Sequence, residues 1–300
     1  MKCLYHVDWD GRCAAYWVAK KFGDYTTEDF IMIDYGMDVN WFDKISNDET
    51  VVIVDYSLEP DEMKRLMEKT KDIIWIDHHI SAINKYKDFE VEIPGLRYDG
   101  IAGCLLSYIY FFEMDMGKKP FNPDMRYNAP WFAKFIGDFD VWKYEFGDDT
   151  KHFILGLDAC GDRYPTDKGF WESLSVDRCK ELISDGIICE RYRDAIAKRD
   201  LDATGFEYKI AGHRALCQNN HGNSNQFGDR INNYDLVCLF EYNGQGEYWS
   251  YSFYTEKDYI DVAKIAESFK NTDGYISGGG HKKASGLQHR EFLFKLSQNQ

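Results

Sequence analysis

Short apolar runs that stop abruptly at acids dominate the first part of the chain. Lys2-Cys-Leu-Tyr-His-Val7 leads into Asp8-Trp-Asp10-Gly11, Phe30-Ile-Met-Ile into Asp34, Val51-Val-Ile-Val into Asp55, and Ile73-Ile-Trp-Ile into Asp77-His78-His79. Brief runs rich in β-branched and aromatic residues predict buried strands. Between them, Arg12 to Phe22 carries helix formers with an apolar face and Gly23 as its cap, and Pro60 to Glu68 has proline and acids suited to a helix start. Strands alternating with helices predict βαβ units and a mainly parallel sheet.

Residues 80–98 read as irregular chain broken at Pro94-Gly95. Ile101 to Phe112 and Trp131 to Trp142 read as apolar helices, separated by Pro120, Pro123 and Pro130. A long helical pattern, Asp177 to Ala203, precedes a change of texture. Beyond it come short β-like runs, Phe206 to Ile210, Arg214 to Gln218, Leu236 to Tyr242 and Tyr248 to Tyr254, then a helix over Asp261 to Phe269 and a glycine-rich turn, Ser277 to Gly286. The expected fold is α/β with two lobes: an N-terminal mainly parallel sheet with flanking helices over 1–185, a helical linker at 186–204, and a smaller C-terminal lobe with a mixed sheet over 205–300.

Composition narrows the function. With 300 residues, 44% of them hydrophobic, the chain can bury a sizeable core. No stretch of about 18 apolar residues occurs and Met1-Lys-Cys-Leu lacks a signal-peptide shape, so a cytoplasmic protein without a membrane partner is expected. Eight cysteines are scattered without a C-x-x-C pair, which favours reduced thiols over a zinc site. A net charge of -15 argues against wrapping a long duplex, whose phosphates need a basic face. A short phosphorylated substrate stays compatible.

Strands that end together at one sheet edge would bring His6, Asp8, Asp10, Asp55, Asp77, His78 and His79 into one crevice, where open α/β sheets bind ligands. Carboxylates crowded in this way cannot all stay ionised unless positive charge lies among them, which makes divalent metal the economical reading. The helix over 131–142 ends in Asp138 and Asp140, either of which could complete such a site.

Taken together, His6-x-Asp8-x-Asp10-Gly11, Asp55, Asp77-His78-His79, an acid near 138 and Gly278-Gly-Gly-His281-x-x-Ala284-x-Gly286 resemble the motifs of the DHH phosphoesterase superfamily with its associated C-terminal domain, in particular the nano-RNase or oligoribonuclease-like members. The resemblance implies a phosphohydrolase with two divalent ions, manganese or magnesium. By the same resemblance His6 and Asp8 hold one ion, Asp10, His78 and Asp138 the other, and Asp55 bridges them. Asp138 is preferred to Asp140 because it stands four residues before Trp142, a spacing found in relatives. Asp77 would orient an imidazole, His79 would face the phosphate, and Gly278, Gly279, Gly280, His281 and Lys282 would hold substrate. Implied substrates are short oligonucleotides or small nucleotides, including 3'-phosphoadenosine 5'-phosphate and cyclic dinucleotides; the alternatives are pyrophosphate or polyphosphate hydrolysis, or a nucleotide-binding module without turnover. A homodimer is also compatible. One departure from the nano-RNase pattern is Tyr254, which stands where an arginine is expected.

Overall fold

A computed structural model describes residues 1–23, 26–34, 39–222 and 224–294. They form two compact units that divide between Glu190 and Arg191.

In the first unit the chain runs β1 (Lys2–His6), α1 (Trp9–Phe22), β2 (Phe30–Ile33), β3 (Val51–Val54), α2 (Pro60–Lys69), β4 (Ile73–Asp77), α3 (Ile80–Lys85), β5 (Gly95–Arg97), α4 (Gly103–Tyr108), α5 (Trp131–Asp140), α6 (Asp148–Asp158) and α7 (Lys168–Ser173), and then enters the long helix α8 (Val176–Thr204). The strands pair in the order β2-β1-β3-β4-β5, all parallel, with Leu4 opposite Ile53 and Ile53 opposite Trp75. Side chains alternate across the sheet, as the two-residue period of a strand requires. Cys3, Tyr5, Val52, Val54, Ile74 and Ile76 pack into one apolar layer with α1, α4 and α5. Leu4, Val51, Ile53, Ile73 and Trp75 pack into the other with Met63 and Leu66 of α2. A sheet covered on both faces needs strands that are apolar throughout, which explains why these runs are unbroken until the terminal acid.

The α/β reading holds, and residues 80–98 correct it in detail. They form α3 and the edge strand β5, three residues that begin at Gly95, whose φ of +134° and close approach to Trp75 exclude a side chain. The first helix starts at Trp9 rather than Arg12, because the Asp8 carboxylate accepts a hydrogen bond from Gly11 N at 2.9 Å and caps it. Tight packing recurs where α6 meets α8: a Cβ on Gly156 would fall 2.0 Å from Leu182 O, and one on Gly186 only 1.8 Å from His152 O.

The second unit receives the end of α8 and continues through β6 (Phe206–Ile210), β7 (His213–Asn219), β8 (Leu236–Asn243), β9 (Tyr248–Tyr254), α9 (Val262–Glu267), β10 (Tyr275–His281) and β11 (Ala284–His289). Its sheet has the order β10-β11-β9-β8-β7-β6, with β7 and β8 parallel and the other neighbours antiparallel, hence the mixed sheet expected. One face packs on Val262 and Ile265 of α9, the other on Leu201 of α8 together with Phe227 and Ile231. The glycine-rich segment differs from expectation: Gly278, Gly279, Gly280 and His281 lie in β10, paired with β11, and only Lys282-Lys283 turns. That turn is tied down by Val262 N donating to Lys282 O (3.0 Å) and Thr255 N to Lys283 O (3.1 Å). Gly280 is required by packing, since at φ +142° its Cβ would meet Ala284 O at 2.7 Å.

Candidate metal centre

Three parallel strands end side by side and deliver their polar residues to one edge of the first sheet. His6 closes β1, Asp55 follows β3, and Asp77 closes β4 ahead of His78 and His79. Asp8 and Asp10 come from the cap and first turn of α1. Gly11 allows this turn to fold back on β1, because a Cβ there would lie 2.2 Å from His6 O.

The side chains converge in two groups. His6 Nδ1 lies 2.8 Å from Asp8 Oδ2 and 3.6 Å from Asp55 Oδ2. His78 Nε2 lies 3.2 Å from Asp55 Oδ1, 3.3 Å from Asp140 Oδ2 and 3.8 Å from Asp10 Oδ2. Asp55 thus turns one oxygen to each group. It does so from a left-handed backbone, φ +52°, against Gly103, where a Cβ would fall 2.6 Å from that of Asp55. Asp10 is fixed from behind by Gly103 N (2.6 Å) and Cys104 N (2.9 Å) at the start of α4.

The helix α5 supplies Asp140 to this cluster, whereas Asp138, preferred from its spacing, is engaged elsewhere. Its carboxylate accepts from Glu145 N (2.8 Å), Phe146 N (3.4 Å) and the Thr150 hydroxyl, so that it anchors the loop after α5. Asp34 is a residue the motif reading did not single out. Its Oδ1 lies 3.2 Å from His6 Nε2, placing the imidazole between two carboxylates and leaving Nδ1 to face the cluster. It ends β2 in the same strand-then-acid pattern as Asp55 and Asp77, and that pattern was the available signal. Asp77 lies outside these two groups but within 4.8 Å of ligand atoms of Asp55, His78 and His79 in a third. Its oxygens accept from His78 N (2.7 Å), His79 N (3.3 Å), His79 Nδ1 (2.7 Å) and the Ser57 hydroxyl.

Electrostatics reflect the crowding. Burial pushes Asp55 up to about 7, with the charges of Asp8 and Asp140 adding to it against the nearby imidazole of His6. Burial and the charge of Asp10 push Asp140 to about 7, and burial with Asp55 raises Asp10 well above the usual carboxylate range. Burial disfavours a charged His6, yet Asp55 and Asp8 outweigh it and lift its pKa to about 11. His79 rises to about 9 because Asp77 holds its ring. Among the described residues both oxygens of Asp55, Nε2 of His78 and Oδ2 of Asp140 are buried without a hydrogen-bond partner. Native proteins rarely bury such atoms unsatisfied. Imidazole nitrogens interleaved with carboxylate oxygens form a donor set suited to divalent cations, and the triads His6-Asp8-Asp55 and Asp10-His78-Asp140 each hold their ligand atoms within 4.8 Å of one another. The residues fit a pair of such ions.

No protein-family model and no curated protein sequence matches this chain. Among solved structures it is similar to the pGpG-specific phosphodiesterase PggH from Vibrio cholerae, with 11% identity and a TM-score of 0.51 over 96% of this chain and 93% of that one. It is also similar to RecJ from Thermus thermophilus, solved in complex with Mn2+, at 13% identity and a TM-score of 0.45, covering 96% of this chain but 49% of that one. The chain therefore shares the fold of that phosphodiesterase.

Proposed function

We propose that this chain is a metal-dependent phosphoesterase acting on short oligonucleotides or small nucleotides, with His6, Asp8 and Asp55 holding one divalent ion and Asp10, His78, Asp140 and Asp55 the other. The observation that carries this reading is Asp55, buried, with one oxygen directed to each group. A pair of divalent cations bound there supplies Lewis acidity, lowering the pKa of water and offsetting charge at phosphorus. The chain's own residues do the rest. Asp34 sets the tautomer of His6, and the backbone N–H groups of Gly103 and Cys104 fix Asp10. Asp77, itself held by Ser57, orients His79. With a pKa near 9, His79 is cationic at neutral pH and can meet the negative charge of a phosphoryl oxygen. Gly278, Gly279, Gly280, His281 and Lys282 are assigned to substrate on the strength of their motif, now as a strand and the turn that follows it.

The test is turnover by Mn2+-loaded protein of a dinucleotide, a cyclic dinucleotide, 3'-phosphoadenosine 5'-phosphate, pyrophosphate and polyphosphate. Hydrolysis of one or more of the first three is expected. Turnover confined to the last two would replace the nucleotide reading with a pyrophosphatase, and turnover of none would leave a binding module. Among the described residues no helix is long and apolar enough to cross a membrane.

A further inference from the structure

Directly after Asp140 the chain exposes an aromatic cluster that the metal centre does not use. Trp142 is 73% exposed, whereas Trp17, Trp75 and Trp171 are at most 3% exposed. Its ring stacks on Phe139, with centroids 6.0 Å apart and planes inclined by 25°, and meets Tyr144 edge-on at 6.1 Å. Both Trp142 (φ +54°) and Tyr144 (φ +51°) have left-handed backbones, a conformation bulky residues adopt only where the surroundings enforce it. The enforcement is visible. Asp138 grips Glu145 N and Phe146 N, its backbone oxygen accepts from Lys143 N at 3.2 Å, and Lys143 Nζ reaches back to Gly100 O at 2.7 Å. A large apolar surface is thus held out to solvent by a buried anchor. Exposing tryptophan wastes burial that folding would otherwise gain, which marks the position as one for contact with something else.

What it contacts is constrained by its neighbours. Asp140 is two residues earlier, so the two Cα atoms lie within about 7 Å of each other. Lys134 and Lys143 line one recess beside the loop and, among the described residues, are bonded only to the neutral oxygens Tyr127 O and Gly100 O. The same recess is lined by Arg126 and by the carboxylates of Asp138 and Glu145, of which Asp138 is taken up by the loop and Glu145 faces Arg126 at 3.7 Å. Trp142 is not part of the lining of this recess, so a ring stacked on it would lie outside, on the outer aromatic face. Aromatic faces interleaved with cations are the pattern by which proteins hold single nucleotides and short strands.

The geometry points to a base-stacking subsite on Trp142, braced by Phe139 and Tyr144, that takes the nucleobase of a substrate whose phosphate lies at the metal centre, with Lys134 and Lys143 drawing the rest of its anionic backbone. It rests on the phosphoesterase reading and names what that site recognises: a nucleotide, through the face of its base. Asp138 is then a positioning residue, since it fixes the loop that presents the ring.

The experiment is a calorimetric titration of the Mn2+-loaded full chain with adenosine 5'-monophosphate and with ribose 5-phosphate, which lacks the base. The monophosphate should bind at least about tenfold more tightly, Trp142→Ala should weaken it by about 5- to 150-fold while changing ribose 5-phosphate less than about twofold, and Trp142→Phe should restore most of the loss. Equal binding of the two ligands, or an alanine variant with unaltered preference, would overturn the subsite. If a dinucleotide is hydrolysed with the same KM by Trp142→Ala, the subsite falls and the phosphoesterase stands. If neither ligand binds while pyrophosphate is turned over, both readings fall together.

Discussion

Loading the metal centre should expel protons in a number set by its crowding. A ligand must be deprotonated to bind a cation. His6, with a pKa near 11, carries one proton to be lost at any pH from 6 to 8. Asp55 and Asp140, both near 7, are each about nine-tenths protonated at pH 6 and one-tenth at pH 8. The release is therefore about 2.8 protons at pH 6 and about 1.2 at pH 8. Integrated over the interval, the apparent affinity for Mn2+ falls about ten-thousand-fold from pH 8 to pH 6. Isothermal titration calorimetry in buffers of different ionisation enthalpy gives the count directly, as the slope of observed heat against buffer heat. A slope near zero, or one that does not change between the two pH values, would refute the reasoning, because it would mean the cation binds to groups that are not held protonated by one another.

Other consequences can be checked alongside. Asp140→Asn should remove Mn2+ binding at one site and lower phosphoester turnover by at least about a hundredfold with the melting temperature of the metal-free protein kept or raised, whereas Asp138→Ala, which strands buried donors, should cost about 1–3 kcal/mol of stability in denaturant titration; the reverse pattern would return the ligand role to Asp138. Asp34→Asn should weaken Mn2+ by about 10- to 100-fold, read by chelator competition, because it removes the charge that steadies His6. Without metal, the raised pKa values of Asp55 and Asp140 contribute stability that is full below their unfolded values near 4 and is lost as pH rises through 7. His6 and His79 act in the same direction above pH 6.5, so melting of the chelated protein should fall from pH 5 to pH 8 and recover on adding Mn2+; a metal-free protein more stable at pH 8 than at pH 5 would contradict this.

Much of the fold was legible because burial on both sheet faces leaves a strong local imprint. The runs at Lys2, Phe30, Val51 and Ile73 can be nothing but strands, and the acids that end them had to gather at one edge once the strands were parallel. β5 was not legible: three residues at the sheet margin carry too little pattern, and its defining feature, the approach of Gly95 to Trp75, is tertiary. Choosing between Asp138 and Asp140 required knowing which face of α5 meets the cluster, and a spacing borrowed from relatives pointed to the residue one half-turn away. The glycine segment misled for a related reason. Three consecutive glycines locally suggest a free turn, while their pairing partners, Ser285 to Leu287, lie beyond the two lysines that do the turning.

The backbone of Asp55 has one more implication. Aspartate and asparagine are among the few side chains tolerated with a positive φ, and the missing Cβ at Gly103 leaves room for either. Under the proposed function, Asp55→Asn should therefore keep the shape of the junction while withdrawing its charge, giving a protein that folds without turnover. Such a protein is the natural bait for capturing an uncleaved substrate.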